Sequence, residues 1–304
     1  MSPDNDLFDR KLLAQRRSRA AAAIGDHDFL LKRAAEDIVA RLDAVMRAFP
    51  VVLNIGAHHG LLGRALSGLP KVGRVIATDS CLAMAARNDP PRLVCDEEQL
   101  PFAPQCADLI VSGLALQLVN DPPGALIQMR RTLKPDGLFI AALLGGETLV
   151  ELRQAFMEAE AELEGGASPR VAPSADVRDY GSLLQRAGFA MPVSDSDLLQ
   201  VSYASPLALM REIRAMGGAN VLNARARKPL RRATLDRAVE IYRERFATGE
   251  DRVTASFEII YLTGWAPDPS QPKPLQPGSA KTRLADALGV EERSAGERTG
   301  AAKK

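Results

Sequence analysis

Val51-Val52-Leu53-Asn54-Ile55-Gly56-Ala57-His58-His59-Gly60-Leu61-Leu62-Gly63 is the stretch whose reading decides the fold. An apolar, β-branched run that breaks at a glycine and resumes as a helix-like segment predicts the first strand of an α/β domain. The backbone turns tightly at Gly56, and the next helix aims its N-terminal amides at a ligand. A second strand, Arg74-Val75-Ile76-Ala77-Thr78, runs into Asp79. An acid at the tip of strand 2, roughly 20 residues past the glycine turn, is placed to accept hydrogen bonds from ribose hydroxyls. Turn and acid together predict a fold that holds a nucleoside.

Outward from this pair the chain alternates strand and helix, which predicts parallel strands joined by right-handed crossovers. Strand 3 is the short Arg92-Leu93-Val94-Cys95. Strand 4, Ala107-Asp108-Leu109-Ile110-Val111-Ser112, is nearly all apolar, as a strand covered on both faces should be. A helix over Pro122 to Leu133 leads through the turn Lys134-Pro135-Asp136-Gly137 into strand 5, Leu138 to Ala142. Helices follow over Glu147 to Glu164, closed by Gly165-Gly166, and over Asp176 to Ala187. Gly188-Phe189 opens an edge strand, Leu198 to Tyr203 is a separate penultimate strand, and Ser256 to Trp265 is the last. Trp265, the sole tryptophan, is expected in the core.

Upstream of strand 1, Leu7 to Ala23 reads as a basic amphipathic helix and Asp28 to Arg47 as a second helix packed on the sheet. The first is expected to be a solvated face, or else a lid or docking arm for an acidic partner or membrane surface. Asn223 to Phe246 is dense in arginine, from Arg225 to Arg245, and reads either as a solvated face or as a patch for an acidic partner. The resulting division is N-terminal cap or lid helices over 1–48, a main domain over 49–266 with helical insertions at about 147–187 and 206–248, and a mobile, Pro-rich tail over 267–304.

The chain has 39 basic and 38 acidic residues among 304, a balance that argues against a nucleic-acid binder. Cys81, Cys95 and Cys106 are odd in number and lack CxxC spacing, so neither a disulfide scaffold nor a zinc ribbon is expected. No apolar run reaches the roughly 18 residues that span a bilayer. Residues Met1 to Asp9 carry three aspartates and no apolar centre, unlike a secretory or transit leader. These features point to a cytoplasmic protein, with peripheral membrane contact left open.

The turn at Gly56 to Gly63, Asp79, Asp96-Glu97-Glu98-Gln99-Leu100-Pro101-Phe102, the strand Asp108 to Ser112 and Leu133-Lys134-Pro135-Asp136-Gly137 follow one another at a specific spacing. This core resembles the class I S-adenosylmethionine methyltransferases of the methyltransferase-11 type. Leu7-Phe8-Asp9-Arg10, Gly145-Gly146-Glu147-Thr148-Leu149, Glu164 to Pro173, Leu184 to Phe189 and Gly278-Ser279-Ala280-Lys281 narrow the likeness. They resemble the family of the mitochondrial complex I assembly factor that hydroxylates an arginine of the quinone-proximal iron–sulfur subunit, in its α-proteobacterial branch. The malonyl-carrier-protein methyltransferases of biotin synthesis are a more distant likeness. The resemblance implies a Rossmann-like fold, a mostly parallel seven-stranded sheet with helices on both faces. It also implies S-adenosylmethionine as cofactor and a protein partner. By matching position, Asp79 holds the ribose hydroxyls with Ser80 beside it, Asp96 takes the adenine amino group with Glu97 adjacent, and Asn54, Gly56, Ala57, His58 and Gly60 form the methionine end, flanked by Ser112 on strand 4.

The turn departs from the family pattern, in which an acid stands at position 54 and a glycine at 58. Asn54 forgoes a charge-assisted contact to the cofactor ammonium, worth about 1 to 2 kcal/mol. A non-glycine His58 costs about another 1 kcal/mol if φ is positive. Together these predict cofactor binding weakened by roughly ten- to a hundredfold or more. After strand 4 the family's His-Trp is Gln117-Leu118, which removes the obvious general base there. Adjacent His58 and His59 do not converge on one ion and no third ligand has the right spacing, so no metal site is predicted. The reading preferred is a hydroxylase-like enzyme with an atypical cofactor turn. Its alternatives are a non-catalytic complex I assembly chaperone and an O-methyltransferase for a small molecule or carrier protein.

Overall fold

A computed structural model describes residues 6–249, 251–272, 282 and 284–290. Met1 to Asp268 form one compact unit, and Pro269 to Lys304 cluster as a second. Most of the tail expected over 267–304 lies outside the described residues, as does Gly278 to Lys281. The second unit contributes one short helix, Leu284–Leu288.

In the first unit, α1 (Arg10–Ala20) and α2 (Phe29–Asp43) precede β1 (Phe49–Ile55), α3 (Leu61–Ser67), β2 (Val72–Asp79), α4 (Leu82–Ala85), β3 (Arg92–Val94) and β4 (Ala107–Gly113). Then come α5 (Pro122–Thr132), β5 (Leu133–Leu144), α6 (Val150–Glu164), α7 (Val177–Arg186), β6 (Ala190–Tyr203), α8 (Pro206–Ala215), α9 (Arg232–Phe246), the two-residue β7 (Ala247–Thr248) and β8 (Arg252–Trp265). The sheet runs β3-β2-β1-β4-β5-β8-β6, with β7 paired to the end of β8. Its first five strands are parallel, in register Val52↔Val75 and Val52↔Leu109, and β8 is antiparallel to both β5 and β6. This is the mostly parallel, seven-stranded arrangement anticipated, with β7 as an eighth, two-residue addition. The order reverses between β1 and β4, and a crevice at the carboxyl ends of strands meeting at such a switch point is where open α/β sheets bind ligands.

Alternation along the central strands divides the core. Val52, Leu109, Val111, Leu138 and Ile140 face Ile38, Leu42, Phe156 and Tyr242. Leu53, Ile55, Ile110, Phe139 and Leu143 face Met129, Tyr180, Leu184 and Phe189 on the other side. Each such side chain fully removed from water contributes about 1.5 to 3 kcal/mol, so the sheet is fixed from both faces. Trp265 packs, partly buried, against the first cluster.

Two expectations need correction. The edge strand and the penultimate strand are one: β6 pairs with β8 from Ala190 to Tyr203. The polar Ser194-Asp195-Ser196-Asp197 between them is carried through the strand because Arg41 of α2 bonds Asp195 at 2.9 Å and Arg33 bonds Asp197 at 3.0 Å. Lys134 to Gly137 belongs to β5 rather than to a separate turn, with a register shift between Ala107 and Leu109 and Asp136 at φ +57°. Lys134 reaches back to Asp108 at 2.9 Å, and the same carboxylate accepts the Val51 N–H at 2.9 Å. The Lys-Pro-Asp-Gly signature is thus a clamp at the amino ends of β1, β4 and β5, opposite the crevice.

The segment ahead of α1 is anchored across the chain. Phe8 is buried among Leu13, Val221 and Leu222 and bridges to Leu222. Asn120 bonds both the Phe8 N–H and its carbonyl, at 2.8 and 3.1 Å.

Candidate functional site

The crook at the end of β1 is held open by one glycine and closed by one histidine. At Gly56, φ is +66°, and a Cβ there would overlap the Ala115 side chain, so the loop after β4 passes against bare backbone. Its other neighbour in that direction is the Glu97 carboxylate, 3.3 Å from where a Cβ would stand. Gly60 caps α3 at φ +89°, but its open side faces Arg64 and Asn88 rather than Glu97 and Ala115.

His58 does adopt the left-handed conformation, at φ +49°. Its surroundings offset the strain of a side chain there, of order 1 to 3 kcal/mol. The His58 N–H donates to Asp79 Oδ2 at 2.9 Å, its carbonyl accepts from Asn88 Nδ2 at 2.8 Å, and ring Nε2 lies 3.0 and 3.2 Å from the Gly113 and Leu114 carbonyls. Two carbonyl acceptors require that Nε2 carry the proton. Burial, reinforced by the Arg17 charge, pushes the His58 pKa down to about 3. The ring is therefore neutral at physiological pH and tied across the tips of β1 and β4, where it serves as structure and not as a proton donor.

Asp79 is fully buried at the end of β2. One oxygen accepts the His58 amide and the other the Cys81 amide at 2.8 Å. Burial raises its pKa despite these donors and the nearby Arg17. Glu97 is 1% exposed, with Oε1 3.4 Å from the Ser80 hydroxyl. Asp96 lies beside it, its Oδ1 accepting the Glu98 N–H at 2.9 Å. Thus Gly56, Ala57, His58, Asp79, Ser80, Asp96 and Glu97 are brought together around the ends of β1, β2 and β3. Asn54 and Ser112 lie deeper, fully buried on β1 and β4, and neither side chain has a hydrogen-bond partner within the protein. An unsatisfied buried polar group costs about 1 to 3 kcal/mol; by the alternation of the strands the two lie on opposite faces of the sheet, Asn54 toward Gly63 of α3.

Sequence reasoning missed the groups that face these acids. Arg10 of α1 bonds Asp96 Oδ1 at 2.8 Å, pairs with Glu97, and donates to the Leu118 carbonyl at 2.9 Å. Arg17, one further turn-pair along the same helix, is 4% exposed and sits 3.7 Å from both Asp79 and Glu97. The signal was present: Leu13, Arg17 and Ala20 fall at helical spacing, and all three are buried. A stripe that would otherwise be apolar carried an arginine inward. His59 was missed as well; its Nε2 meets the buried Asp28 at 3.1 Å, tying the turn to α2.

Two cavities open beside the crook. One, of about 140 Å³, is lined by Arg17, Asp28, His58 and Leu114; the other, of about 270 Å³, extends toward Phe156, Arg170 and Pro173. They share Gln117, Leu118, Leu144, Thr148, Leu149 and Ile213 as walls, so they form adjoining compartments. Gln117 donates to the Leu114 carbonyl at 2.9 Å, and its Oε1 is a buried acceptor with no partner. Arg170 is held by Glu160 at 2.8 Å. Neither compartment is lined by Asp79, Ser80, Asp96, Glu97 or Ser112. Among the described residues no cluster of three or more histidines, cysteines and carboxylates is placed to hold a metal.

Residues 53–141, from the middle of β1 into β5, match the methyltransferase domain family. The arginine-hydroxylase NDUFAF5, mitochondrial, of Danio rerio is 38% identical over 288 residues, covering 92% of this chain and 89% of that protein. The chain belongs to the NDUFAF5 arginine-hydroxylase family. The human member is 36% identical over 282 residues, 90% of this chain and 81% of its own length. The malonyl-[acyl-carrier protein] O-methyltransferase of Xylella fastidiosa is 32% identical over 272 residues, 86% of this chain and 90% of that one. Among solved structures, the YcgJ protein of Bacillus subtilis aligns with a TM-score of 0.54 at 16% identity, covering 78% of this chain and 99% of that one, a likeness of fold. Family membership and the crook agree on the architecture, the class I methyltransferase fold. Among the described residues no helix is long and apolar enough to cross a membrane.

Proposed function

We propose that this chain is an S-adenosylmethionine-binding enzyme that hydroxylates a protein arginine during assembly of respiratory complex I, acting on its quinone-proximal iron–sulfur subunit from the cytoplasm at the membrane face. The observation that carries this reading is similarity to an arginine-hydroxylase across nine-tenths of the chain.

The donor set fits the cofactor. Carboxylates suit a diol and an exocyclic amine because each accepts two hydrogen bonds with little steric demand, which assigns Asp79 to the ribose and Asp96 and Glu97 to the adenine. Bound, S-adenosylmethionine would supply an electrophilic carbon, the chemistry of methyl transfer; hydroxylation is carried by the family likeness alone, and its oxygen atom and two-electron oxidation would be supplied by a separate oxidant such as dioxygen with a reductant. The chain's own residues bind, orient and exclude water. The apolar walls from Leu118 to Ile213 suit the aliphatic stem of an arginine, and Gln117 Oε1 is the acceptor its guanidinium would meet.

Co-expression with the iron–sulfur subunit, followed by peptide mass spectrometry, tests the reading: an arginine gaining the mass of one oxygen atom is expected. An unmodified subunit that is nevertheless captured by the protein would favour the chaperone reading instead. The malonyl-carrier-protein relatives favour a second enzymatic reading, methyl-ester formation on an acyl carrier. Methyl transfer from labelled cofactor to a malonyl carrier protein, with no oxygen gained by the subunit, would select it.

A further inference from the structure

We propose that Arg10 and Arg17 make α1 an internal ligand for the adenosine seat, so that the cofactor binds only when this helix lets go and its measured affinity is set by how often that happens. This inference rests on the cofactor reading above and concerns the groups that oppose it.

All three acids assigned to adenosine are occupied within the chain. Asp79 accepts the His58 and Cys81 amides, bonds that α1 does not make, and from α1 it has the Arg17 charge at 3.7 Å. Asp96 is bonded by Arg10 at 2.8 Å, and Glu97 is shared between Arg10, Arg17 and Ser80. An adenine amine cannot take the Asp96 and Glu97 oxygens while Arg10 holds them, and the Arg17 guanidinium stands against Asp79 and Glu97 at 3.7 Å. The two arginines are seven residues apart, two helical turns, and so approach the acids from one face of one helix.

The clamp is built to open. Its N-terminal latch consists of the Phe8 to Asn120 hydrogen bonds, the Asp9 amide on the Val221 carbonyl at 2.8 Å, and Arg225 against Asp9 at 3.3 Å. Its far end rests on a small apolar contact in which Ala20, Ala21 and Ile24 meet Cys81 and Met84. Between them, Arg10 is well paired, but Arg17 Nη1 is buried with no hydrogen-bond partner and lies beyond bonding distance of both acids. A desolvated guanidinium with an unsatisfied N–H is a poor anchor, and swinging it out recovers its hydration. If only a fraction of molecules is open, the apparent dissociation constant is the intrinsic one divided by that fraction.

The test compares wild type, Arg10→Met/Arg17→Met and Asn120→Ala by calorimetric titration with S-adenosylhomocysteine, with hydrogen exchange of residues 8–20 followed in each. Asn120→Ala loosens the latch while leaving every acid its partner, so it serves even if the double variant fails to fold. Binding at least tenfold tighter in the double variant and several-fold tighter in Asn120→Ala is expected, with α1 amides of wild type losing protection at saturating ligand. Wild-type affinity retained or weakened in both variants, with α1 exchange unaltered by ligand, overturns the clamp and leaves the cofactor reading intact. No binding by any folded form at millimolar ligand overturns the cofactor reading and the clamp with it.

Discussion

His58 shows how one side chain can hold a turn and tax it at once. Its ring ties β1 to the Gly113 and Leu114 carbonyls, and only the neutral form can do so comfortably in that setting. The folded pKa of about 3 lies below the ordinary value of 6.5, so the unfolded chain takes up the proton first as pH falls. The stability contributed is complete above pH 6.5 and is lost as the pH drops toward 3, at up to about 1.4 kcal/mol per pH unit. Urea midpoints for wild type and His58→Gln between pH 7 and pH 4 should therefore converge as the pH falls; parallel curves would refute the assignment. Gly56→Ala meets both a positive φ and the Ala115 side chain, and should destabilise the fold by about 3 kcal/mol in the same assay. At this scale the sequence was informative where geometry is local. A glycine before a helix and an acid after a strand declare themselves through spacing. The partners of that acid did not, because Arg17 comes from a helix whose basic composition reads as solvated until its burial on Asp79 and Glu97 is seen.

The arginine-rich α9 reads as a surface waiting for an acidic partner, yet much of its charge is answered by α6. Arg237 bonds Glu162 at 2.7 Å and Arg245 bonds Glu158 at 2.7 Å, while Arg225, ahead of the helix, meets Asp9. These acids lie too far off in sequence for charge density alone to pair them. Exposed ion pairs contribute little because water and salt screen them, so Arg237→Ala should leave the denaturation midpoint nearly unchanged. Tyr242 is buried in the same helix, with its hydroxyl on the Thr254 carbonyl at 2.7 Å. Tyr242→Ala should cost about 3 to 5 kcal/mol, and chemical denaturation of the two variants separates a surface role for α9 from its packing role. The most legible elements were those with a clear pattern, the helical spacing of α2 and the unbroken apolar run of β4 among them. β6 reads as two strands in the sequence, and the counter-charge from Arg41 and Arg33 that carries Asp195 and Asp197 through it shows only in the fold.

At the scale of the whole molecule, the function proposed above puts the nucleoside among the acids and the acceptor in the two compartments, with His58 between them. Gln117 belongs to the acceptor side. Gln117→Leu should lower arginine modification in the co-expression assay by roughly ten- to a hundredfold, the worth of one hydrogen bond to a charged group, while leaving S-adenosylhomocysteine binding unchanged. Loss of both together would mean that the two sides are not separable. The strand order carries a further consequence for how such a chain comes into being. β8, residues 252 to 265, lies between β5 and β6 and supplies the ladder for both. On the ribosome those two strands therefore emerge with bare edges that stay unsatisfied until nearly the whole domain has been synthesised. A chain cut short before residue 252 should be a sticky, chaperone-bound product and not a smaller working protein.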